Sequence, residues 1–261
     1  MKNLDDFVNN LYRTDSYIQK NPSLHEEDSS WKITRIIPLV DQFIGIINKK
    51  EINVLDVGGG AGIILKEISA YINKKYGIKV NKYILDLSPG MLKIQKKRNP
   101  GVKKVLNEDI RKTSLKNKEI DLTLMIDVLE HVPNPEKALR ELKRISEFVI
   151  FKVPLEDCLF SKLWNFMNNG EPRQHVIENI GHINIYNIYK LKQQIEKYTG
   201  QFLGFYFTNV FAYCKNSYFY RKNMNFVKKI RNFIANYIFM LSPKLCSLLF
   251  TDFAMILIKC Y

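Results

Sequence analysis

No two of the four cysteines, Cys158, Cys214, Cys246 and Cys260, form a C-x-x-C pair, and none has a histidine at zinc-finger spacing. Neither a disulfide framework nor a structural zinc site is indicated, and a reducing cytoplasm is the expected compartment. A long apolar run is also missing. The longest uncharged apolar stretch near the end, Asn232 to Pro243, is well short of the roughly 20 residues that cross a bilayer. The amino-terminal MKNLDDFVNNLYRTD is acidic and interrupted, unlike a signal peptide. There is no internal repeat and no low-complexity tract, which argues against a solenoid or a disordered array.

What is present suits a packed protein. The 261 residues are 46% hydrophobic and 25% charged, enough for one large α/β domain with appended elements. The formal net charge is +14 and the excess lies late: residues 1–50 carry seven basic and seven acidic groups, 51–150 carry 19 and 13, and 151–261 carry 14 and 6. Such a surface suits a nucleic acid or an anionic membrane, although a solvated basic face is the commoner origin.

Residues 1–50 read as a helical lid or cap, broken by NPSLHEEDSS, with apolar residues at helical spacing from Trp31 to Ile47. From Ile52 short aliphatic runs alternate with amphipathic segments, the pattern of a parallel sheet covered by helices. Strands are expected at 52–57, 82–87, 105–109, 121–128 and 148–153, and helices at 63–75, 89–97 and 135–146. Asn134 is expected to cap the last of these, with Pro135 in its first turn. A loop-rich stretch then runs to His182, and a helix over 188–198 stops at Gly200. Two strand-like runs, FLGFYFTNVFAYC and DFAMILIKCY, flank a basic, apolar, helical-looking insert at about 221–250. Residues 51–261 thus read as one core with a late insertion.

Within that core NVLDVGGGAGIIL, Asn53 to Leu65, carries the first chemical signal. A strand entering Gly58, Gly59, Gly60 and Gly62 before a helix lets a ligand approach the backbone. The dinucleotide fingerprint fails, because its third glycine would fall at Ile63, and no Gly-Lys-Ser/Thr follows for a phosphate loop. Asp56 at the tip of the first strand would repel a pyrophosphate but suits an ammonium group. Asp86, in YILDLSPGML, can accept both hydroxyls of a ribose. A nucleoside with an amino-acid tail meets all three conditions, and S-adenosylmethionine is such a molecule.

The ordered segments VLDVGGGAG, LDLSPGML, EDI and IDVLEHVPNPEKALREL resemble the successive motifs of class I S-adenosylmethionine-dependent methyltransferases, over about residues 50–210. The resemblance implies a Rossmann-like three-layer α/β sandwich with a seven-stranded, mostly parallel sheet whose last strand, DFAMILIKCY, is antiparallel. It further implies that Asp56, Gly58 and Gly60 line the methionine tail, that Asp86 holds the ribose, and that Met91 packs near the adenine. Asp109 would accept from the adenine amino group beside Ile110, and Asp127 with Val128 would close the pocket floor.

Transfer from a sulfonium needs alignment above all, and a base only when the nucleophile must lose a proton. His131, just past the fourth strand, is the first candidate for direct chemistry and His182 the second, while His175 could meet substrate. Asp127, Glu130 and His131 form D-x-x-E-H, similar to the E-x-x-E-H that binds a divalent metal in ubiquinone-pathway O-methyltransferases. LEHV also stands in relatives without metal, so none is assigned. The front segment resembles a lid of bacterial methyltransferases, in which Tyr17, His25, Trp31 and Lys32 would close over the cofactor. The 226–250 stretch could lie on an anionic membrane, or pack as amphipathic helices on the sheet or on a second subunit.

The expected activity is methyl transfer to a small molecule, O-directed, on a sugar, lipid-linked intermediate or other metabolite, by a monomer or homodimer. An RNA methyltransferase and a non-catalytic cofactor-binding scaffold are the alternatives. Against RNA stand IDVLEH where an NPPY-like motif would be needed and the lack of an appended RNA-binding module.

Overall fold

In the computed structural model, which describes residues 4–14, 16–24 and 26–261, the strands are β1 (Glu51–Val57), β2 (Lys79–Leu85), β3 (Lys104–Leu106), β4 (Ile120–Ile126), β5 (Ser146–Leu155), β6 (Gly200–Phe207) and β7 (Asp252–Cys260). They form one sheet in the order β3-β2-β1-β4-β5-β7-β6. Pairing is parallel from β3 through β5, and β7 runs antiparallel to both β5 and β6. The helices are α1 (Leu4–Arg13), α2 (Ser16–Lys20), α3 (Ser29–Ile46), α4 (Ile63–Tyr76), α5 (Pro89–Arg98), α6 (Pro135–Ile145), α7 (Leu159–Met167), α8 (Glu171–Ile180), α9 (Ile188–Tyr198), α10 (Val210–Asn216), α11 (Tyr218–Asn223), α12 (Phe226–Leu241) and α13 (Pro243–Leu249).

The aliphatic runs are continuous rather than alternating because helices cover both sheet faces. Val54, Leu124 and Ile150 pack with Phe43 of α3 and Leu65 and Ile68 of α4. Their strand neighbours Leu55, Met125 and Phe151 face the other way, onto Leu139 and Leu142 of α6 and Leu191 and Ile195 of α9. This is the three-layer sandwich expected from the sequence. The strand order reverses between β1 and β4, and in open sheets of this kind a crevice opens at the carboxyl ends of the strands there.

Several local expectations change. Residues 29–46, read as part of the front piece, bury Ile36, Leu39, Val40 and Phe43 in the sheet's own core. β2, β3 and β4 stop before Asp86, Asp109 and Asp127, which therefore stand in the turns at the strand tips. The loop-rich stretch contains α7 and α8. Asn134 starts α6 in a left-handed conformation without a side-chain cap bond. The run FLGFYFTNVFAYC is strand only to Phe207. Asp252 accepts from Thr208 Oγ1 (2.8 Å), Asn209 N (3.1 Å) and Val210 N (3.1 Å), and the Asn209 side chain accepts from Ala212 N (3.2 Å). That capping starts α10 despite β-favouring aromatics.

Candidate functional site

All eight residues assigned to the cofactor from the sequence, together with His131, line one cleft at the carboxyl ends of β1, β2 and β4. Its first wall is the glycine turn. Gly58 and Gly62 take φ of +60° and +75°, where other residues are strained. Gly59 is required for a different reason: a Cβ there would lie 2.1 Å from Asp56 Oδ2. Part of the clearance inferred from the glycines thus serves a protein carboxylate rather than a ligand. Asp56 is buried, and burial with the nearby Asp86 charge pushes its carboxyl up to about 7. Its Oδ2 has no hydrogen-bond partner, an acceptor at the cleft wall in need of a donor.

Asp86 follows β2 and is held from two sides, by Gln95 Nε2 donating to Oδ2 (2.9 Å) and Ser88 N donating to Oδ1 (2.9 Å). Ser88 also caps α5 by accepting from Met91 N at 3.1 Å, which places the Met91 side chain on the cleft wall. Asp109 is gripped by the Arg111 fork, Nη2 to Oδ2 at 2.7 Å and Nε to Oδ1 at 3.1 Å, which keeps its carboxyl below the usual range against the effect of burial. Arg111 also pairs with Asp5, so one guanidinium ties α1 of the cap to the cleft rim.

Asp127 is not a simple floor. It has φ +55°, and its carboxylate sits between Lys152 Nζ and Lys32 Nζ (3.0 Å). Burial alone would raise its pKa, but the Lys152 and Lys32 charges hold it well below the usual carboxylate range. Lys152 lies in the middle of β5 with 1% exposure, over the Phe253 ring at 3.4 Å. Lys32 lines the cleft, as does Tyr17. Trp31 does not; it stacks on Tyr213 at 4.6 Å and so fastens α3 to α10. His25 lies outside the described residues.

Of the described histidines only His131 lines the cleft. His182 stands behind it, ring centroids 4.8 Å apart and edge to face, with Nδ1 2.7 Å from Glu156 Oε1. Burial lowers the His182 pKa, but the Glu156 hydrogen bond and the Glu130 and Glu156 charges outweigh it, and the net shift is upward. Arg173 secures the pair by donating Nη2 to the His182 carbonyl at 2.7 Å. His175 is exposed on α8, away from the cleft. Glu130 is fully buried with neither carboxylate oxygen hydrogen-bonded, 4.0 Å from His131 Nε2, and burial with the Asp127 charge raises its pKa. Ligand atoms of Glu130, His131 and His182 lie within 4.8 Å of one another, whereas Asp127, the first residue of D-x-x-E-H, is consumed by two lysines.

Sequence reasoning missed Lys152, Arg111, Gln95, Glu156 and the role of Tyr12, which lines the cleft beside His131. A lysine inside FVIFKV was the one visible signal, since a buried charge demands a partner.

Residues 29–199 match a family profile described as a methyltransferase domain. The mitochondrial ubiquinone biosynthesis O-methyltransferase of Candida albicans is 32% identical over 38% of this chain and 31% of its own length, so the match spans about a third of that relative. Among solved structures, the Haemonchus contortus phosphoethanolamine N-methyltransferase 2 superimposes with a TM-score of 0.62 at 14% identity, covering 99% of this chain and 61% of that one. Geranyl diphosphate C-methyltransferase from Streptomyces coelicolor gives 0.57 at 11% identity, covering 87% of this chain and 80% of that one. At such identities these two likenesses speak to the fold.

Proposed function

Since the chain belongs to the methyltransferase-domain family, the class I enzymes that use S-adenosylmethionine, we propose that its acceptor is a small molecule bearing a hydroxyl group and that His131 removes the hydroxyl proton. The observation that carries this reading is His131, a half-buried imidazole on the wall of the cofactor cleft with the His182–Glu156 pair behind it.

The cleft's charges suit a tail that carries an ammonium group, to which Asp56 offers an unpaired acceptor. When bound, S-adenosylmethionine supplies a methyl group on a sulfonium, transferred in line as the carbon–sulfur bond breaks and a neutral thioether leaves. Val8, Tyr12, Tyr17 and Leu24 of the cap overhang the site and exclude water. His131 takes the proton as the oxygen–carbon bond forms, and Glu156 holds the His182 ring that packs behind it. His182 is a positioning residue, since it reaches the cleft only through His131.

Screening metabolite pools with labelled cofactor identifies the acceptor. With it, His131→Asn is expected to lower kcat by about a hundredfold to ten-thousandfold while leaving cofactor affinity intact. The rate of the unmodified enzyme should rise with pH, and that dependence should be lost in the variant. An equal loss of cofactor affinity would sink the assignment. Tight, salt-sensitive RNA binding would replace the small-molecule acceptor by RNA.

Asp56 supplies a second test. Its carboxyl titrates near 7 in the free protein, and an ammonium partner would draw that pKa down. Below about pH 7 cofactor binding should then release a proton, and affinity should climb with pH and level off above it. Calorimetry in buffers of different ionisation enthalpy reads the release directly. Proton uptake, or none in Asp56→Asn and unmodified protein alike, contradicts the assignment.

The orphaned Glu130 carboxylate favours one other reading, a divalent cation held by Glu130, His131 and His182. It would polarise the hydroxyl in place of the base. Loss of turnover on chelation, restored by Mg²⁺, selects this reading; full activity in chelator selects the base.

A further inference from the structure

Helix α12 has its apolar face on the outside. Asn232 and Ala235 point inward, Cys246 Sγ donates to the Ala235 carbonyl at 3.2 Å, and Asn209 Nδ2 donates to Asn236 at 3.1 Å. The opposite side carries Phe226, Ile230, Phe233, Tyr237 and Met240 at helical spacing, with Phe226 75%, Phe233 65% and Met240 74% exposed. Exposed Trp164 and Phe166 of α7 extend the apolar surface, because Phe160 of α7 meets Phe250 after α13 at 5.9 Å and lies 5.7 Å from the Arg231 guanidinium. A soluble protein rarely leaves so continuous an apolar surface uncovered.

Charge identifies what covers it. Residues 210–250 contain seven lysines and arginines and no acidic residue. Exposed Lys228 and Lys229 sit in the first turns of α12, and exposed Lys244 lies at the start of α13. A second copy docked face to face would bring these cations together, which disfavours a self-complementary dimer. A sheet of anionic head groups over acyl chains satisfies both the cations and the apolar stripe. Among the described residues no helix is long and apolar enough to cross a membrane, which leaves attachment along the surface.

We propose that α12, with α13 and α7, binds the surface of an anionic membrane, α12 lying in the interfacial plane with its Phe226–Phe233–Met240 side among the acyl chains. This attachment is independent of the identity of the methyl acceptor. The placement gives it a use. β5 and β6 run parallel, each paired antiparallel with β7, so α7 after β5 and the α10–α13 insert after β6 both leave from the carboxyl edge of the sheet where the cleft opens. The bound protein would turn its cleft edge toward the lipid.

Co-sedimentation of the full chain with vesicles tests this, using equal parts phosphatidylglycerol and phosphatidylcholine against pure phosphatidylcholine. Binding is expected to the anionic vesicles alone and to weaken as salt rises. Lys228→Ala with Lys229→Ala should weaken it roughly thirtyfold, at about fivefold for each lysine near the surface. Phe233→Glu with Met240→Glu should abolish it, with unchanged circular dichroism showing that the fold is kept. Absence of binding by the unmodified protein, equal binding to both vesicle types, or insensitivity to salt overturns the proposal. So does a dimer by analytical ultracentrifugation that Phe233→Glu dissociates, since the face would then be covered by a second copy.

Discussion

Asp86→Ala is expected to raise the dissociation constant for S-adenosylmethionine by about two to four orders of magnitude. A carboxylate accepting from both ribose hydroxyls makes two charge-assisted hydrogen bonds of about 1.5–3 kcal/mol each, and 1.4 kcal/mol is a factor of ten. The structure supports a full effect because Asp86 is already oriented by Gln95 Nε2 and Ser88 N, so little ordering is left for binding to accomplish. Those same bonds make the alanine variant vulnerable, since Gln95 would lose a buried acceptor. Asp86→Asn keeps the shape and the Ser88 contact, and an intermediate loss is expected for it. Calorimetry on both variants, with thermal midpoints recorded in parallel, separates the two contributions. A loss of less than about tenfold in Asp86→Ala would remove Asp86 from the ribose site.

Lys152→Met should be the most destabilising of the single substitutions considered. Lys152 is buried in the central strands and compensates Asp127. Removing one member of a buried ion pair typically costs about 3–5 kcal/mol, which in a protein of this size lowers Tm by roughly 6–20 °C. Lys32 remains beside Asp127 at 3.0 Å, which argues for the lower part of that range. Adding Asp127→Asn removes the stranded charge and should recover part of the loss. Because Asp127 is held below its usual pKa, its contribution is complete above about pH 4 and disappears only as the solution becomes strongly acidic. Thermal denaturation of the single and double variants between neutral and acid pH measures all three effects; a single variant as stable as the parent would show that the charges make no net contribution.

The sandwich was legible because its determinants are local. Aliphatic runs of strand length separated by amphipathic helical segments imply strands covered on both faces, and core residues such as Val54, Leu124 and Leu139 lie where that periodicity places them. The glycine turn and the acids near the strand ends were visible for the same reason, since each is read within a few residues of its strand. Where the reading slipped, capping or long-range contacts outweighed propensity. α10 begins inside an aromatic run because Asp252, more than forty residues on, gathers the Thr208, Asn209 and Val210 donors. α3 belongs to the core because a sheet face needs a cover, which its own sequence cannot announce.

The candidate site divides along the same line. By itself the sequence determined the order of strands and helices from β1 to β5 and the chemical character of the donor cleft, because glycine conformation, strand length and a nearby acid are properties of neighbouring residues. Only the tertiary structure decided which acids are free to act. Asp127, Asp109 and Asp56 read alike in the sequence, yet the first is neutralised by lysines from α3 and β5, the second by Arg111, and the third keeps an unpaired oxygen at the cleft. It also decided that the apolar side of α12 faces outward, since periodicity defines a face but not its direction. Both outcomes depend on which distant segments the sheet order brings together, and no local pattern carries that information.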